Sequence, residues 1–333
     1  MIEHVVGMQA QNPHDPYFAL WSRIEGFRPA DLSELIESRQ ALRVPLLRST
    51  IHLVTARDCR SIRSTFTSVL ARTFGSTSFS KDLDGVDLEA LLSRARALLE
   101  ERPRTRADLG PMLAAEWPDR VPGSLAQAAT YLLPVVQVPP RGIWQRSGPA
   151  AWTTIETWLG GPLDPPSPAD GLIIRYLAAF GPAAQKDMRV WSGLAGLSQV
   201  VERLRPHLRS FSDENGVEVF DLPDAPRPDA DSSALPRFLP EYDNLLLSHS
   251  DRSRFFDGEH FPKGWVGNLL VDGRYAGSWK ITRGKSGTVL AVILAKKMRG
   301  PDIDEVTSEG NKLLEFTDPQ TPDREVAIVI DQA

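Results

Sequence analysis

Apolar residues recur at helical spacing through much of the first 225 residues. The stretches DLSELIESRQAL, DLEALLSRARALLEE and GSLAQAATYLL carry them three and four positions apart, which predicts amphipathic helices. Asp31 is followed three residues later by Glu34, and Thr105 by Asp108, and both spacings are typical of a capped helix N-terminus. The first two thirds of the chain are therefore predicted to be rich in helix.

Short runs of β-branched residues follow these helical groups. VPLLRSTIHLVT predicts a strand or a tight hairpin, and VVQVPPRGIWQRSG predicts two strands around a Pro-Pro-Arg-Gly turn. The helical stretches GLIIRYLAAFG, GPAAQKDMRVWSGL and LSQVVERLRPHL precede FSDENGVEVFDL, which predicts a hairpin turning at Asn215-Gly216. Helices followed by a β-hairpin are the order of a winged helix-turn-helix, so the pattern predicts such units in tandem.

Alternating apolar and polar positions characterise the last hundred residues. WVGNLLVDGRYAGSWKITRGKSGTVLAVILAKK predicts a β-meander, with Asp272-Gly273 as a type I′ hairpin turn and TRGKSG as a second turn. REVAIVI predicts a closing strand, and TSEGNKLLEF before it predicts a helix.

Two proline-rich stretches, GGPLDPPSPAD and PDAPRPDADSSALP, predict boundaries between these parts. We therefore predict the α+β fold class, with tandem winged helix-turn-helix units and a C-terminal antiparallel β-meander domain. The expected divisions are winged units over residues 1–80, 81–160 and 170–225, followed by the β-rich domain over residues 235–333.

Composition narrows the functional classes. The 333 residues are 41% hydrophobic, enough for buried cores, and they contain neither a membrane-length apolar stretch nor a signal-peptide pattern, so we expect a cytoplasmic protein. A single cysteine, Cys59, excludes an intrachain disulfide and is expected to be buried. The six histidines form no His-x-x-x-His pair, and we expect neither a metal nor a cofactor.

Charge is unevenly distributed along the chain. The net charge is −5, yet residues 39–80 carry seven arginines against a single acid, a net +6, and residues 263–299 carry eight basic residues against a single acid, a net +7. Two basic segments on an acidic chain favour a positive face that binds a polyanion such as DNA. Solvated surface charge without a partner is the alternative.

The stretch GMQAQNPHDPY contains a Gln-x-Gln directly before a predicted turn. On an extended backbone Gln9 and Gln11 share a face, and their two carboxamides can orient a water molecule or a polar ligand while Ala10 packs behind them. The alternative is a pair of surface glutamines ahead of the turn.

Five blocks of sequence are similar to the AlkZ-like, or YcaQ-like, family of winged-helix DNA glycosylases. The resemblance spans nearly the whole chain and keeps the family order: VVGMQAQNPHDPYFALWSRIEGF, LLRSTIHLVTARD, RYLAAFGPAAQKDMRVWSGL, RFLPEYDNLLLSHSDRSRF and LLVDGRYAGSWKI. It implies a C-shaped body with a basic channel for duplex DNA. Only eight residues precede the Gln-x-Gln, where family members usually carry a helix or more, so we expect the first unit to lack its leading helix.

The resemblance also implies an activity: monofunctional excision of N7-alkylated purines and, in some members, unhooking of interstrand cross-links. The family's catalytic loop stands here as Gln9-Ala10-Gln11, which would position water and stabilise an oxocarbenium-like sugar. N7 alkylation makes the purine a cationic leaving group, so a strong general acid is not needed. The first 80 residues contain no lysine, which argues against a Schiff-base lyase step.

Other residues are candidates for supporting the loop or binding DNA. Arg48, Thr50 and His52 alternate along RSTIHLV and, together with Asn12, are expected either to form a network under the loop or to contact DNA. Tyr242 and Asp243 are weaker candidates. The expected DNA-binding residues are Arg43, Arg274, Arg283, Lys285, Lys296 and Lys297.

These features support two alternative functions from different classes of protein. The first is a DNA glycosylase, a nucleoid-associated monomer whose partner is duplex DNA with alkylated purines. The second is a non-catalytic winged-helix DNA-binding protein or transcriptional regulator, which would be indifferent to loss of either glutamine.

Overall fold

The structure is a computed structural model that describes residues 1–229, 231–256, 267–284 and 287–330. Its α-helices, in chain order, are α1 Asp15–Trp21, α2 Pro29–Glu37, α3 Ala56–Ile62, α4 Thr67–Gly75, α5 Ser78–Lys81, α6 Leu88–Glu101, α7 Arg106–Ala114, α8 Pro122–Leu132, α9 Ile155–Leu159, α10 Asp170–Phe180, α11 Gln185–Ser192, α12 Leu197–Leu204 and α13 Gly300–Thr317. Within these described ranges no helix is both long and apolar enough to cross a membrane.

The strands are short in the first part of the chain and longer near its end. They are β1 Met8–Gln9, β2 Ala41–Pro45, β3 Ile51–Thr55, β4 Arg104–Thr105, β5 Val135–Gln137, β6 Ala151–Thr154, β7 Arg209–Ser212, β8 Glu218–Asp221, β9 Arg237–Pro240, β10 Gly267–Val271, β11 Arg274–Gly284, β12 Gly287–Leu294 and β13 Arg324–Ile330. The chain divides into two compact units, one formed by residues 1–14 and 30–223 and the other by residues 15–29 and 224–333.

The first unit is built around a sheet with the order β1-β3-β2-β5-β6-β4. The predicted hairpin VPLLRSTIHLVT is confirmed, because β2 and β3 pair antiparallel from Ala41↔Thr55 to Pro45↔Ile51. Its strand β2 also pairs with β5 at Arg43↔Gln137, so the first two predicted winged units share one sheet. Leu53, Val54 and Val135 are fully buried, which places the apolar core directly against this sheet.

One strand of the second predicted hairpin was misplaced. VVQ forms β5, but the partner strand is β6, after the RGIWQRSG segment that was expected to form it. The three prolines and two glycines between the strands limit ladder hydrogen bonding, so the connection is a long loop rather than a tight turn. Further along, β7 and β8 form the antiparallel hairpin predicted around Asn215-Gly216.

The predicted helix positions are confirmed. Thr105 caps α7 with the expected capping box, since the Thr105 hydroxyl accepts from the Asp108 N–H and the Asp108 carboxylate accepts from the Thr105 N–H. Cys59 is fully buried, as expected, and burial raises the pKa of its thiol to about 12. The chain is therefore a mixed α+β protein in which most strand pairs are antiparallel.

The second unit contains a sheet with the order β13-β12-β11-β10-β9. The turn at Asp272 and Gly273 has positive φ at both residues, 50° and 72°, as a type I′ hairpin requires. The closing strand and the helix before it are confirmed, but β13 runs parallel to β12, so the domain is not a purely antiparallel meander. A parallel pair needs a long crossover, and α13 provides it.

Aromatic side chains form the core of this second unit. Trp279 is 1% exposed and its ring meets the edges of Phe18 and Phe238, with ring centroids 5.2 and 6.0 Å away. Its Nε1 donates to the Leu239 carbonyl oxygen at 2.8 Å, which satisfies the indole donor. Helix α1, which carries Phe18, is thus held against the C-terminal sheet.

Candidate functional site

The Gln-x-Gln loop is held by main-chain bonds to β3. Strand β1 pairs with it antiparallel, with Met8 opposite Leu53 and Gln9 opposite His52. The Ala10 N–H continues the ladder by donating to the Ile51 carbonyl oxygen at 2.7 Å. Ala10 is fully buried, as the sequence predicted for the residue between the two glutamines. The loop backbone is therefore fixed to a core strand rather than suspended in solvent.

Gly7 is required immediately before this strand. It has a φ of +84°, and a Cβ at this position would lie 2.7 Å from Val54 Cγ1 and 3.2 Å from the Leu53 carbonyl oxygen. An L-residue would be strained both by its backbone conformation and by these contacts. The glycine therefore permits the close approach that brings Gln9 onto β3.

Gln9 is largely buried and is held by an arginine. It is 7% exposed, and its Oε1 accepts from Arg48 Nη2 at 3.0 Å. Arg48 Nη1 also donates to the Trp191 carbonyl oxygen at 3.2 Å, so the guanidinium links the loop to α11. Arg48 and Ser49 both adopt left-handed backbone conformations, with φ of 52° and 57°, which cost about 1 kcal/mol or more each.

Gln11 differs from Gln9 in its exposure. Its side chain is exposed, and its Oε1 accepts from the Ile51 N–H at 3.2 Å. Gln9 thus contacts the turn between β2 and β3, and Gln11 contacts the first residue of β3. The Ile51 N–H uses one lone pair of the Gln11 carbonyl oxygen, so the second lone pair and the NH₂ group can still form hydrogen bonds.

The predicted alternation of Arg48, Thr50 and His52 is wrong as strand geometry. Strand β3 begins at Ile51, and Arg48 lies in the tight turn Leu47–Ser49 that precedes it. The Thr50 hydroxyl donates to the Leu47 carbonyl oxygen at 3.2 Å within this turn. Arg48 therefore reaches Gln9 because of left-handed turn geometry and not because alternate residues share a face.

His52 is fully buried behind Gln9. Its Nδ1 lies 3.1 Å from the Thr50 carbonyl oxygen. Burial, reinforced by the positive charge of Arg48, lowers the pKa of His52 to about 3. The imidazole is therefore neutral at physiological pH, and this placement favours the supporting network over direct contact with DNA. Asn12 is exposed, and its Oδ1 accepts from the His14 N–H at 3.2 Å in the turn that follows the loop.

Arg43 supports the loop from inside. It is 2% exposed, and its Nη2 donates to the Ala10 carbonyl oxygen at 2.7 Å. Gly142 packs on its stem, since a Cβ there would lie 2.6 Å from Arg43 Cδ. The expected DNA contact is therefore replaced by a structural role, because the buried guanidinium has no surface to offer to a phosphate.

A pocket of about 430 Å³ opens beside Gln11. Its floor is one face of the sheet, its wall is helix α8, and two arginines lie at its sides. The lining residues are Gln11, Pro45, Ser49, Ile51, Arg106, Gln127, Thr130, Tyr131, Gln137, Arg141, Ala150 and Trp152. None of these twelve described residues is acidic, so the pocket carries positive charge.

Apart from Gln11, the residues that line the pocket were not predicted from the sequence as functional. Arg106 was seen only as part of a helix start, and Arg141 only as part of a turn. Gln137 gave a usable signal, because a polar residue closes the otherwise apolar strand VVQ. Pairing of β2 with β5 brings this residue beside the loop, and that pairing is not visible in the sequence.

The remaining expected DNA-binding residues lie in the second unit. Arg283 is exposed and paired with Asp318 at 2.9 Å, while Lys296 and Lys297 are exposed beyond the end of β12. Arg274 is exposed and points towards the carbonyl oxygens of Ser253 and Arg254. Lys285 lies outside the described residues. Of the weaker candidates, Asp243 is buried in an ion pair with Arg23 at 2.6 Å, and Tyr242 is partly exposed.

Comparisons with known proteins agree on one family and one fold. The family model for "DNA glycosylase AlkZ-like" matches residues 2–316. The fold is similar to that of the Streptomyces sahachiroi DNA glycosylase AlkZ, with a TM-score of 0.72 and 18% sequence identity, over 99% of this chain and 92% of that one. No curated protein matches the sequence.

Proposed function

Because the chain belongs to the AlkZ-like DNA glycosylase family and is thus a DNA repair glycosylase, we propose that its substrates are N7-alkylated purines in duplex DNA. Interstrand cross-links formed through such purines are included, since the Gln11 side chain is exposed and a bulky adduct does not have to enter a closed pocket to reach it. The observation that carries the proposal is the Gln-x-Gln loop itself, fixed on β3 with one carboxamide buried and the other exposed.

The two glutamines have different roles in this proposal. Gln11 is exposed and positions the attacking water at the sugar C1′ through its second carbonyl lone pair and its NH₂ group. Arg48 binds the Gln9 carbonyl oxygen and polarises the amide, which makes the Gln9 NH₂ group a stronger donor. Gln9 thereby orients the sugar, and the Gln11 carbonyl dipole also stabilises its oxocarbenium-like form.

The leaving group explains why no titrating acid is needed. An N7-alkylated purine is already cationic, so it departs as a neutral base without being protonated. His52 is neutral and buried, and none of the described pocket residues is a carboxylic acid or a lysine. We therefore propose a monofunctional hydrolase that forms no Schiff base with the abasic sugar.

We propose that the protein binds DNA through two features predicted from the sequence, the winged-helix modules and the exposed basic residues. The helix-and-hairpin groups ending at β3, β6 and β8 act as winged-helix modules, and Lys296, Lys297, Arg274 and Arg283 contact phosphates. The protein acts as a monomer, and its DNA affinity falls steeply with salt because phosphate contacts release counterions.

The test is base release from a duplex carrying one 7-methylguanine, followed by alkaline cleavage of the abasic site. We expect Gln11→Ala and Gln9→Ala to lower the single-turnover rate by about 10²-fold or more, the usual loss when one polar group is removed from a transition-state contact. The control is Gln199→Ala on the exposed surface of α12, which should leave the rate unchanged. The proposal would be overturned if no base were released above the enzyme-free background. If, in addition, both glutamine variants bound undamaged DNA as tightly as the wild-type protein, the transcriptional regulator would be favoured.

The monofunctional character has its own test. Borohydride added during excision traps any Schiff base as a covalent protein–DNA adduct. We expect no adduct, and a trapped adduct would contradict hydrolysis by water alone.

A further inference from the structure

Residues that line the pocket beside Gln11 carry buried polar atoms that have no partner among the described residues. Gln137 and Trp152 are directly opposite each other on β5 and β6, so their side chains project from the same face of the sheet. They are 8% and 2% exposed. Gln137 Oε1 and Trp152 Nε1 are buried and have no hydrogen-bond partner in the described part of the chain. Unmet polar groups at this depth are costly unless a ligand or solvent satisfies them.

Two arginines carry the charge of this pocket. Arg106 Nε donates to the Thr130 hydroxyl oxygen at 2.8 Å, and its guanidinium carbon lies 5.4 Å from the centroid of the Trp152 ring. Burial lowers the pKa of Arg106, but an arginine remains charged at neutral pH. Arg141 Nη1 donates to the Gly148 carbonyl oxygen at 3.1 Å, and its buried Nε has no partner among the described residues.

The charge indicates which chemical group fits. Two guanidiniums without a carboxylate repel a cationic purine and attract an anion. The indole N–H of Trp152 and the Nε–H of Arg141 are donors that no described residue uses, and rotation of the Gln137 amide offers a third. Donors around a cationic centre are the arrangement that binds phosphate oxygens.

We propose that this pocket binds one backbone phosphodiester of the strand that carries the lesion, adjacent to the damaged nucleotide. This inference takes only one element from the proposed function, namely the identity of the damaged base. Because Gln11 forms part of the same lining, a phosphate held by Arg106, Arg141 and Trp152 fixes the neighbouring sugar against the loop. These three are positioning residues, and they act through the geometry of the DNA strand.

Binding measurements with altered phosphates test the proposal. The probe is a duplex with a tetrahydrofuran abasic analogue, in which each phosphate near the site is replaced, one at a time, by an uncharged methylphosphonate. Wild-type protein should lose about tenfold in affinity at one position, the loss expected for hydrogen bonds to a charged group. The Arg141→Gln variant should bind the unmodified duplex about tenfold more weakly than the wild-type protein does. It should lose no further affinity when the sensitive phosphate is replaced by a methylphosphonate.

Two further variants keep the test decisive. Trp152→Phe retains the aromatic bulk and removes the indole donor, and it should also lose affinity only while that one phosphate is charged. Arg102→Gln is the matched control, because Arg102 is exposed and does not line the pocket, so its effect should not depend on any single phosphate. Absence of a sensitive phosphate, or equal losses for Arg141→Gln at every position, would overturn the proposal.

A nucleobase in the pocket is the competing outcome. In that case Trp152→Phe would change the relative excision of 7-methylguanine and 7-methyladenine, with no coupling to any phosphate. The tetrahydrofuran duplex involves no excision, so the two proposals fail separately. Phosphate coupling without release of 7-methylguanine would contradict only the proposed function, and release without coupling would contradict only the phosphate site.

Discussion

The two basic segments, residues 39–80 and 263–299, have similar net charge, but their basic side chains have different environments in the structure. In residues 39–80 all seven arginines bond to the protein. Six of them donate to backbone carbonyl oxygens, and Arg57 pairs with Glu3. The six and their acceptors are Arg39 to Trp158, Arg43 to Ala10, Arg48 to Trp191, Arg60 to Leu159 and Pro162, Arg63 to Leu133, and Arg72 to Gly193.

The second segment, residues 263–299, presents much of its charge to solvent. Lys280, Lys296 and Lys297 are exposed among its described residues. Arg283 and Arg299 are exposed and form surface pairs with Asp318 and Asp302. Because the two arginines are exposed, these ion pairs contribute little to stability.

Arginine density alone therefore does not identify a DNA surface. A guanidinium has five N–H donors in a rigid planar arrangement, so it can donate hydrogen bonds to several backbone carbonyl oxygens where strands and helices end. The first segment uses its arginines in this way, and two of them, Arg43 and Arg48, hold the Gln-x-Gln loop. The second contains lysines at strand ends, where a solvated charge can meet a polyanion.

The largest expected effect is on stability, from the buried arginine behind the loop. Arg43→Met keeps the apolar stem but removes the bond to Ala10, and we expect the free energy of unfolding to fall by about 3 kcal/mol. Urea denaturation measures this change. The matched substitution Lys297→Met in the second segment should leave the unfolding midpoint unchanged, and equal effects from both would remove the contrast between the segments.

A smaller effect is expected from His52 as the pH is lowered. Burial first, and Arg48 second, hold its folded pKa near 3, whereas the unfolded chain binds a proton below about 6.5. The unfolded state therefore binds more protons between these values, and stability falls as pH falls. From pH 7 to pH 5 this residue should cost about 2 kcal/mol, a loss that His52→Gln should not show. Urea midpoints at both pH values measure it, and identical pH dependence in the two proteins would contradict the assignment.

The smallest effect is on the salt dependence of DNA binding. Lys297→Glu should lower the slope of log affinity against log salt by about one or slightly more, because one phosphate contact is lost. Arg57→Gln, which removes a similarly exposed charge that is paired with Glu3, should leave the slope unchanged. A larger change from Arg57→Gln would mean that the first segment also faces DNA.

Local features of this fold were predictable from the sequence, and long-range ones were not. The capping box at Thr105 and the turn at Asp272-Gly273 depend on neighbours in sequence, and both are present. The pairing of β2 with β5 and the parallel β13 depend on strand choices between distant segments. The pocket beside Gln11 arises from the first of these pairings, so its arginines could not be separated from surface charge.

The candidate site was predicted in part for the same reason. Gln9 and Gln11 stood out because two carboxamides precede a turn, and the buried Ala10 between them was anticipated. Arg43 was misread as a DNA contact because its burial depends on distant segments: β2 pairs with β5, and Gly142, 99 positions further along the sequence, packs on its stem. Arg48 reaches Gln9 through a left-handed turn that non-glycine residues rarely adopt, which no alternation rule would predict.

The central claim is that the positive charge of the leaving base replaces a protein acid. It is tested most directly by single-turnover excision from two duplexes of identical sequence, one with 7-methylguanine and the other with O6-methylguanine, whose base is uncharged. We predict release of 7-methylguanine and no release of O6-methylguanine above background. Comparable rates for the cationic and the neutral base would contradict the account.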